Sequence, residues 1–206
     1  MRSNLPKADL FLGKSISQYP HYVIQEYVDS GNNGHLFRAF NTSTNSELAF
    51  KIVPVGNLLR YSDDQDAYLN EARKANQLEH SSVVRGVDVV RYSGSEEIGE
   101  CVVFVYDYVK GKNLRAYMKD HPSDIDIPFI ETFLRTMLGL LFELQRRGDQ
   151  HGDLHARNVL VAKSEFDIYN QPRFRVTDFG VRKLTGHTAH ASDYLYTAET
   201  LRHRGP

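Results

Sequence analysis

Polar and apolar residues alternate over Tyr22-Val23-Ile24-Gln25-Glu26-Tyr27-Val28, which predicts a strand. The polar, glycine-bearing run Asp29 to Leu36 follows as a tight turn, and Phe37 to Phe40 reads as a returning strand. Asn41 to Ser46 is a polar hairpin connection, and Leu48 to Val53 is a third strand. Short turns between three strands predict an antiparallel meander. From Asp63 to Glu79 the spacing turns helical, with Tyr68, Ala72, Ala75 and Leu78 on one stripe. Cys101 to Val109 is nearly continuous in apolar residues and predicts a strand buried on both faces. Lys110-Gly111-Lys112-Asn113 breaks it, and Asn113 is suited to cap a helix from Leu114 to Lys119. Ile130, Phe133, Leu134, Met137, Leu138, Leu141 and Leu144 recur at helical spacing and define a long amphipathic helix that ends near Gly148. Two short strands follow, Val159 to Ala162 and Phe174 to Thr177, joined by the polar stretch Lys163 to Arg173.

Composition narrows the picture. A chain of 206 residues with 41% hydrophobic residues can bury a core. The net charge of -1 provides no broad basic surface, so neither nucleic acid nor a membrane is an expected partner. Cys101 is the single cysteine, which rules out an internal disulfide, and its expected role is packing. Met1 to Leu12 lacks the apolar region of a signal peptide, and the expected location is cytoplasmic.

The chemistry lies in His151-Gly152-Asp153-Leu154-His155-Ala156-Arg157-Asn158, followed by Asp178-Phe179-Gly180. Phosphoryl transfer from a nucleotide needs one carboxylate to orient the attacking hydroxyl. It also needs an Asn and a second carboxylate to hold Mg²⁺ against the phosphates. Asp153, Asn158 and Asp178 supply that set in that order. Lys51 shares a strand face with Ala49 and Val53, which makes it a cation among apolar neighbours. A snorkelling edge lysine is the bland reading. A carboxylate partner favours the functional one: Glu71 lies three residues after Tyr68 and four before Ala75, at the core edge of the helical stripe. Glu47 and Glu79 are fallback partners, both expected to be solvated.

On these motifs the chain resembles the protein-kinase-like superfamily, and most of all its eukaryotic-like protein kinases, from about Tyr22 to about Glu199. The resemblance implies an α+β, bilobal fold with an antiparallel β small lobe and a mainly helical, incomplete large lobe. It implies a small lobe over 21–108 and a partial large lobe over 109–206 that ends after the activation segment, and residues 1–20 ahead of them read as an N-terminal leader or a short extra element. The implied cofactors are ATP and Mg²⁺. Gly31 and Gly34 would form the glycine-rich loop, whose third glycine is replaced by Asp29. Leu36 and Ala49 would line the nucleotide, Lys51 would grip the α- and β-phosphates, and Glu71 would hold Lys51. Tyr106 would be the gatekeeper, the backbone of Asp107 and Val109 would meet adenine, and Leu160 would form the floor beneath it. Asp153 would be catalytic, with Asn158 and Asp178 as the metal ligands.

Several positions depart from the family pattern. Gly152 stands where protein kinases usually carry the Arg that binds an activation-loop phosphate. The H-G-D spelling resembles aminoglycoside and choline phosphotransferases and several bacterial kinases. His155 occupies a position often held by Lys, and Arg157 resembles the tyrosine-kinase loop; either would supply positive charge at the transferring phosphoryl group. His151 is expected to be structural rather than a base. Tyr196-Thr197-Ala198-Glu199 loosely matches the A-P-E end of an activation segment but lacks its Pro. Thr185, Thr188, Ser192, Tyr194, Tyr196 and Thr197 are either phosphorylation sites or plain polar positions, and His187 with His190 makes no zinc pattern.

A kinase large lobe continues beyond the counterpart of Pro206. The expectation is therefore a fragment, a reduced fold, or a surface covered by a partner or by self-association, with apolar surface open near Leu140, Phe142 and Leu195. The expected function is transfer of the ATP γ-phosphate to a protein Ser/Thr, or Tyr, hydroxyl. The alternatives are a small-molecule phosphotransferase and a nucleotide-binding pseudokinase or scaffold.

Overall fold

A computed structural model describes residues 5–16, 19–31, 34–58, 78–151, 153–166 and 172–178, with the side chains of 163–166 left aside. The chain divides into two compact units. The first comprises Met1–Gln77 and Arg85–Tyr108, and the second comprises Leu78–Val84 and Val109–Pro206.

In the first unit, β1 (Ser15–Ile16), β2 (Tyr19–Ser30), β3 (His35–Asn41), β4 (Ser46–Pro54), β5 (Gly86–Ser93) and β6 (Glu100–Asp107) form one sheet. The order is β1-β2-β3-β4-β6-β5, and neighbouring strands run antiparallel. The expected meander β2-β3-β4 is its centre. β2 runs two residues further into the glycine turn than the alternation predicts, because Ser30 still pairs with His35. The turn closes with Gly31 N–H donating to the Gly34 carbonyl at 2.9 Å. A Cβ at Gly34 would stand 2.2 Å from the Ile52 carbonyl oxygen, so no other residue fits there without moving β4. A single helical turn that the sequence pattern does not predict, α1 (Val55–Leu58), follows β4.

One sheet face carries the core. Phe37, Ala39, Leu48, Phe50, Ile52, Val103 and Val105 are buried on it. The apolar run of β6 is buried from Cys101 through Val105, including the residues of the opposite face. Among residues 5–16, Phe11 and Ile16 are buried in this core, with Ala8 and Leu10 packed against it. A 3-10 turn (Ala8–Leu10) leads to Phe11, which is 1% exposed and packs against Phe37 and Tyr92.

In the second unit, β7 (Gly111–Asn113), β8 (Val159–Phe166) and β9 (Pro172–Val176) form a small antiparallel sheet. β7 is not expected from the sequence, and β8 and β9 extend into the stretch assigned to a polar connection. Asn113 caps α2 (Leu114–Asp120) as expected, its side-chain oxygen accepting from Ala116 N–H at 2.9 Å. The long helix is α3 (Ile127–Arg146), capped by Asp126, which accepts from Phe129 N–H at 2.9 Å. It ends as predicted: Arg147 is the C-cap and Gly148 follows at φ 67°, the left-handed residue that stops a helix.

The buried stripe of α3 is Phe129, Phe133, Met137, Leu140, Leu141 and Leu144. Two expectations are corrected here. Leu138 is half-exposed at 50%, and Leu140 is buried at 1% instead of lying on open surface. At ~100° per residue, Leu138 stands ~120° from the middle of the buried stripe and Leu140 only ~40°. Phe142 is exposed, as expected, and Leu195 lies outside the described residues.

The expected helix from Asp63 falls largely on 59–77, outside the described residues, and Glu79 at its end is not helical. Residues 78–84 instead run onto β9. Val84 N–H donates to the Val176 carbonyl at 2.9 Å, and Val176 N–H donates to the Ser82 carbonyl at 2.7 Å. No helix among the described residues is long and apolar enough to cross a membrane.

Candidate functional site

Strand register settles which residues share the sheet face opposite the core of the first unit. His35 pairs with Ile52, so Leu36 pairs with Lys51 and Arg38 with Ala49. Across β4 and β6, Lys51 pairs with Phe104 and Ala49 with Tyr106. The rows Leu36–Lys51–Phe104 and Arg38–Ala49–Tyr106 therefore lie side by side on one face. Four residues singled out from the sequence, Leu36, Ala49, Lys51 and Tyr106, come together there, next to the turn that carries Gly31 and Gly34. Glu71, Lys51's expected partner, lies outside the described residues.

The sequence reading did not find Phe104 or Arg38. The signal for Phe104 was strand parity: it is two residues before Tyr106 and therefore on Tyr106's face. Arg38 makes a network at the same edge. Its guanidinium pairs with Glu47 and with Glu26 at 3.4 Å, and lies 5.6 Å from the centre of the Tyr108 ring. Glu47, expected to be solvated, is thus engaged by Arg38, and the hydrogen bond from Arg38 to Glu47 is the main influence holding the guanidinium pKa up.

At the end of β6, Asp107 N–H donates to the Arg85 carbonyl at 3.0 Å, and its carboxylate receives two bonds from the Arg85 guanidinium. Tyr108 N–H donates to the Glu47 carbonyl at 3.4 Å. The amide of Asp107 is thus committed to the Arg85 carbonyl. Cys101 is buried in the core, and burial pushes its thiol up to about 11, in keeping with a packing role.

In the second unit the loop after α3 is built around His151, which is 0% exposed. Its Nε2–H donates to the Thr177 carbonyl at 2.9 Å, and its Nδ1 accepts from Asp153 N–H at 3.1 Å. One imidazole thus fixes both the strand end before Asp178 and the backbone of Asp153. His151 has the structural place expected of it.

Asn158 adds a second tie. Its side-chain N–H donates to the Asp153 carbonyl at 2.9 Å, and its backbone carbonyl accepts from Thr177 N–H at 2.9 Å. The loop of Asp153 and the strand end of Asp178 are therefore laced together through Thr177, a residue the sequence reading passed over. Asp178 has φ 64°, a left-handed backbone seldom adopted by a residue with a Cβ, and such strain gathers at functional positions.

His155 Nε2 lies 3.6 Å from the Asp153 carboxylate, and its Nδ1 accepts from Arg157 N–H at 3.3 Å. Leu160 on β8 is half-buried, facing away from the buried Val159 and Val161. Val109 is half-buried at the start of this unit. Gly152, Phe179, Gly180 and the whole stretch to Pro206, with its hydroxyl positions and His187 and His190, lie outside the described residues.

The donor set suits a hard cation. The amide nitrogen of Asn158 is used on the Asp153 carbonyl, so its side-chain oxygen is the atom it could offer a cation, with the Asp178 carboxylate as the other hard oxygen donor. Mg²⁺ is bound by one or two such oxygens together with phosphates and waters. Among the described residues no group of three or more His, Cys, Asp and Glu is placed to hold a metal by itself.

A protein kinase domain family model matches residues 22–201. The chain is 24% identical over 189 residues to serine/threonine-protein kinase atg1 of Dictyostelium discoideum, covering 89% of this chain and 27% of the relative. It is 25% identical over 166 residues to mitogen-activated protein kinase kinase kinase 5 of Arabidopsis thaliana, covering 80% and 22%. It is 25% identical over 154 residues to tyrosine-protein kinase ZAP-70 of Mus musculus, covering 75% and 22%. The chain thus spans about a quarter of the length of these curated relatives. Among solved structures, the kinase domain of Mycobacterium tuberculosis PknI shares the fold with a TM-score of 0.67 at 17% identity, over 90% of this chain and 73% of that one. With a family model matched over most of its length, the chain belongs to the protein kinase domain family.

Proposed function

We propose that this chain is an ATP-dependent kinase that transfers the γ-phosphate to a protein hydroxyl, on Ser/Thr or on Tyr. The observation that carries the reading is the lacing of Asp153, Asn158 and the strand end of Asp178 through Thr177 and His151. In this reading Asp153 orients the acceptor hydroxyl and takes up its proton. Asn158 Oδ1 and the Asp178 carboxylate hold Mg²⁺, which when bound neutralises charge on the phosphates. Lys51, held by Glu71, binds the α- and β-phosphates, with Gly31 and Gly34 allowing backbone N–H groups close approach. In the first unit the Asp107 backbone, Leu36, Ala49 and Tyr106 are the residues this reading assigns to adenine, and in the second unit the backbone of Val109 and the side chain of Leu160. In this reading His155, 3.6 Å from the Asp153 carboxylate, or Arg157 supplies positive charge at the transferring group. Residues 21–108 and 109–206 would act as small lobe and partial large lobe, and the cytoplasm, where ATP is available, is the compartment this reading assigns.

The relatives include both serine/threonine and tyrosine protein kinases, which favours a protein acceptor over a small molecule. The test uses radiolabelled ATP, with the chain alone and with a generic protein acceptor. Asp153→Ala is expected to lower the rate by about 10²-fold or more while the melting shift produced by Mg²⁺-ATP persists. Asp178→Asn is expected to remove the metal-dependent part of that shift. Full activity in Asp153→Ala would overturn the catalytic assignment and favour a pseudokinase. An unchanged metal dependence in Asp178→Asn would overturn the ligand assignment.

A further inference from the structure

His35 is a costly residue for its position. It is the first residue of β3, directly after Gly34, and its side chain lies on the core face among aromatic rings. Phe11, Tyr27 and Phe37 stand edge-on or tilted to it, with centroids 5.9–6.3 Å away. Nε2 lies 2.7 Å from the Pro6 carbonyl, which only accepts, so Nε2 carries the proton. Nδ1 is then a bare acceptor, buried and without a hydrogen-bond partner among the described residues. An orphaned buried acceptor destabilises a fold, and Phe would fill the same slot without that penalty. The imidazole therefore needs a reason other than packing, and the bond it makes to Pro6 provides one.

Pro6 opens a segment fixed to the sheet at several points. Phe11 is inserted against Phe37 and Tyr92, Gly13 N–H donates to the Ile24 carbonyl at 2.9 Å, and Ile24 N–H donates to the Lys14 carbonyl at 3.0 Å. Its foremost point of attachment is His35. At the same place the backbone of Gly34 is pressed against Ile52 of β4. The outgoing limb of the glycine turn is thus held along the sheet by β4 and from the core side by Pro6. Leu36, one residue further on, faces the opposite side with Lys51.

We infer that residues 5–16 brace the glycine turn, with His35 as the positioning residue through which the brace holds Gly34 and Leu36 in place for the nucleotide. The inference rests on the proposed nucleotide site for its functional half and on the first unit alone for its structural half.

The test is His35→Phe, which keeps an aromatic ring and removes the donor, beside His35→Gln, whose amide restores one. Amide hydrogen exchange at Gly31 and over 34–37 is the structural readout, and kcat and KM for Mg²⁺-ATP are the functional one. His35→Phe is expected to raise both the exchange rate at Gly31 and the KM by about 2- to 10-fold, the worth of one net hydrogen bond, with kcat nearly unchanged. His35→Gln is expected to recover most of each loss. Phe11→Leu, a milder loosening of the same segment, should speed exchange at Gly31 in the same direction. Unchanged exchange at Gly31 in a folded His35→Phe variant would overturn the brace. If the wild-type chain binds no Mg²⁺-ATP, the proposed function fails while the exchange arm still decides whether the brace exists. Faster exchange with unchanged KM in a chain that does bind would overturn the link to the nucleotide.

Discussion

Replacing His151 by Phe is the perturbation whose effect the structure defines most fully. The ring is fully buried, so a second aromatic ring of similar size fills the space, and what changes is polarity. Two bonds vanish, from Nε2–H to the Thr177 carbonyl and from Asp153 N–H to Nδ1. Each stranded buried partner costs about 1–3 kcal/mol, so the pair should cost about 2–6 kcal/mol. With a urea m-value of about 2–3 kcal/mol/M for a chain of this size, the midpoint should fall by roughly 0.7–3 M. Urea unfolding followed by circular dichroism measures it, provided the slope is unchanged. Activity should fall further than stability under folding conditions, because Asp153 loses the bond that sets its backbone. A midpoint within about 0.2 M of the wild type would refute the reasoning and show that the imidazole carries neither strand end nor loop.

Cys101 is buried with its thiol pushed up to about 11, so at pH 8 the native chain should react with a thiol reagent far more slowly than the urea-unfolded chain; rapid native labelling would contradict this. The hydrogen bonds of Arg146 first and Arg147 second hold the Glu143 carboxyl down at about 2, against an ordinary value of 4.5. A depressed folded pKa means the contribution to the end of α3 is present above pH 4.5 and lost as pH falls through about 2; an NMR titration of Glu143 near 4.5 would contradict it. On α3, Phe133→Ala should cost about 3–5 kcal/mol through the cavity it leaves. Phe142→Asp on the exposed face should change stability by less than about 0.5 kcal/mol, and thermal unfolding of the two variants separates them.

The sequence by itself did not predict β1 and β5, but it determined four strands of the first sheet, β2, β3, β4 and β6, the cap at Asn113, the end of α3 at Gly148 and the motif that carries Asp153, Asn158 and Asp178. These are local: alternation, helical spacing, a capping side chain and a short motif depend on residues within a few positions of each other. What only the tertiary structure decided depended on pairing between distant segments. Periodicity made α3 amphipathic, but its packing in the second core, where Phe129 and Phe133 meet Phe174 of β9, goes with Leu140 buried and Leu138 exposed. Register across β3, β4 and β6 put Phe104 and Arg38 beside Lys51 and Ala49, and a one-residue slip would have sent them to the other face. His35, Thr177 and Pro6 gave no sign in the sequence, because their roles are hydrogen bonds to backbone groups. A backbone carbonyl looks the same at every position until the chain folds and brings one histidine to it.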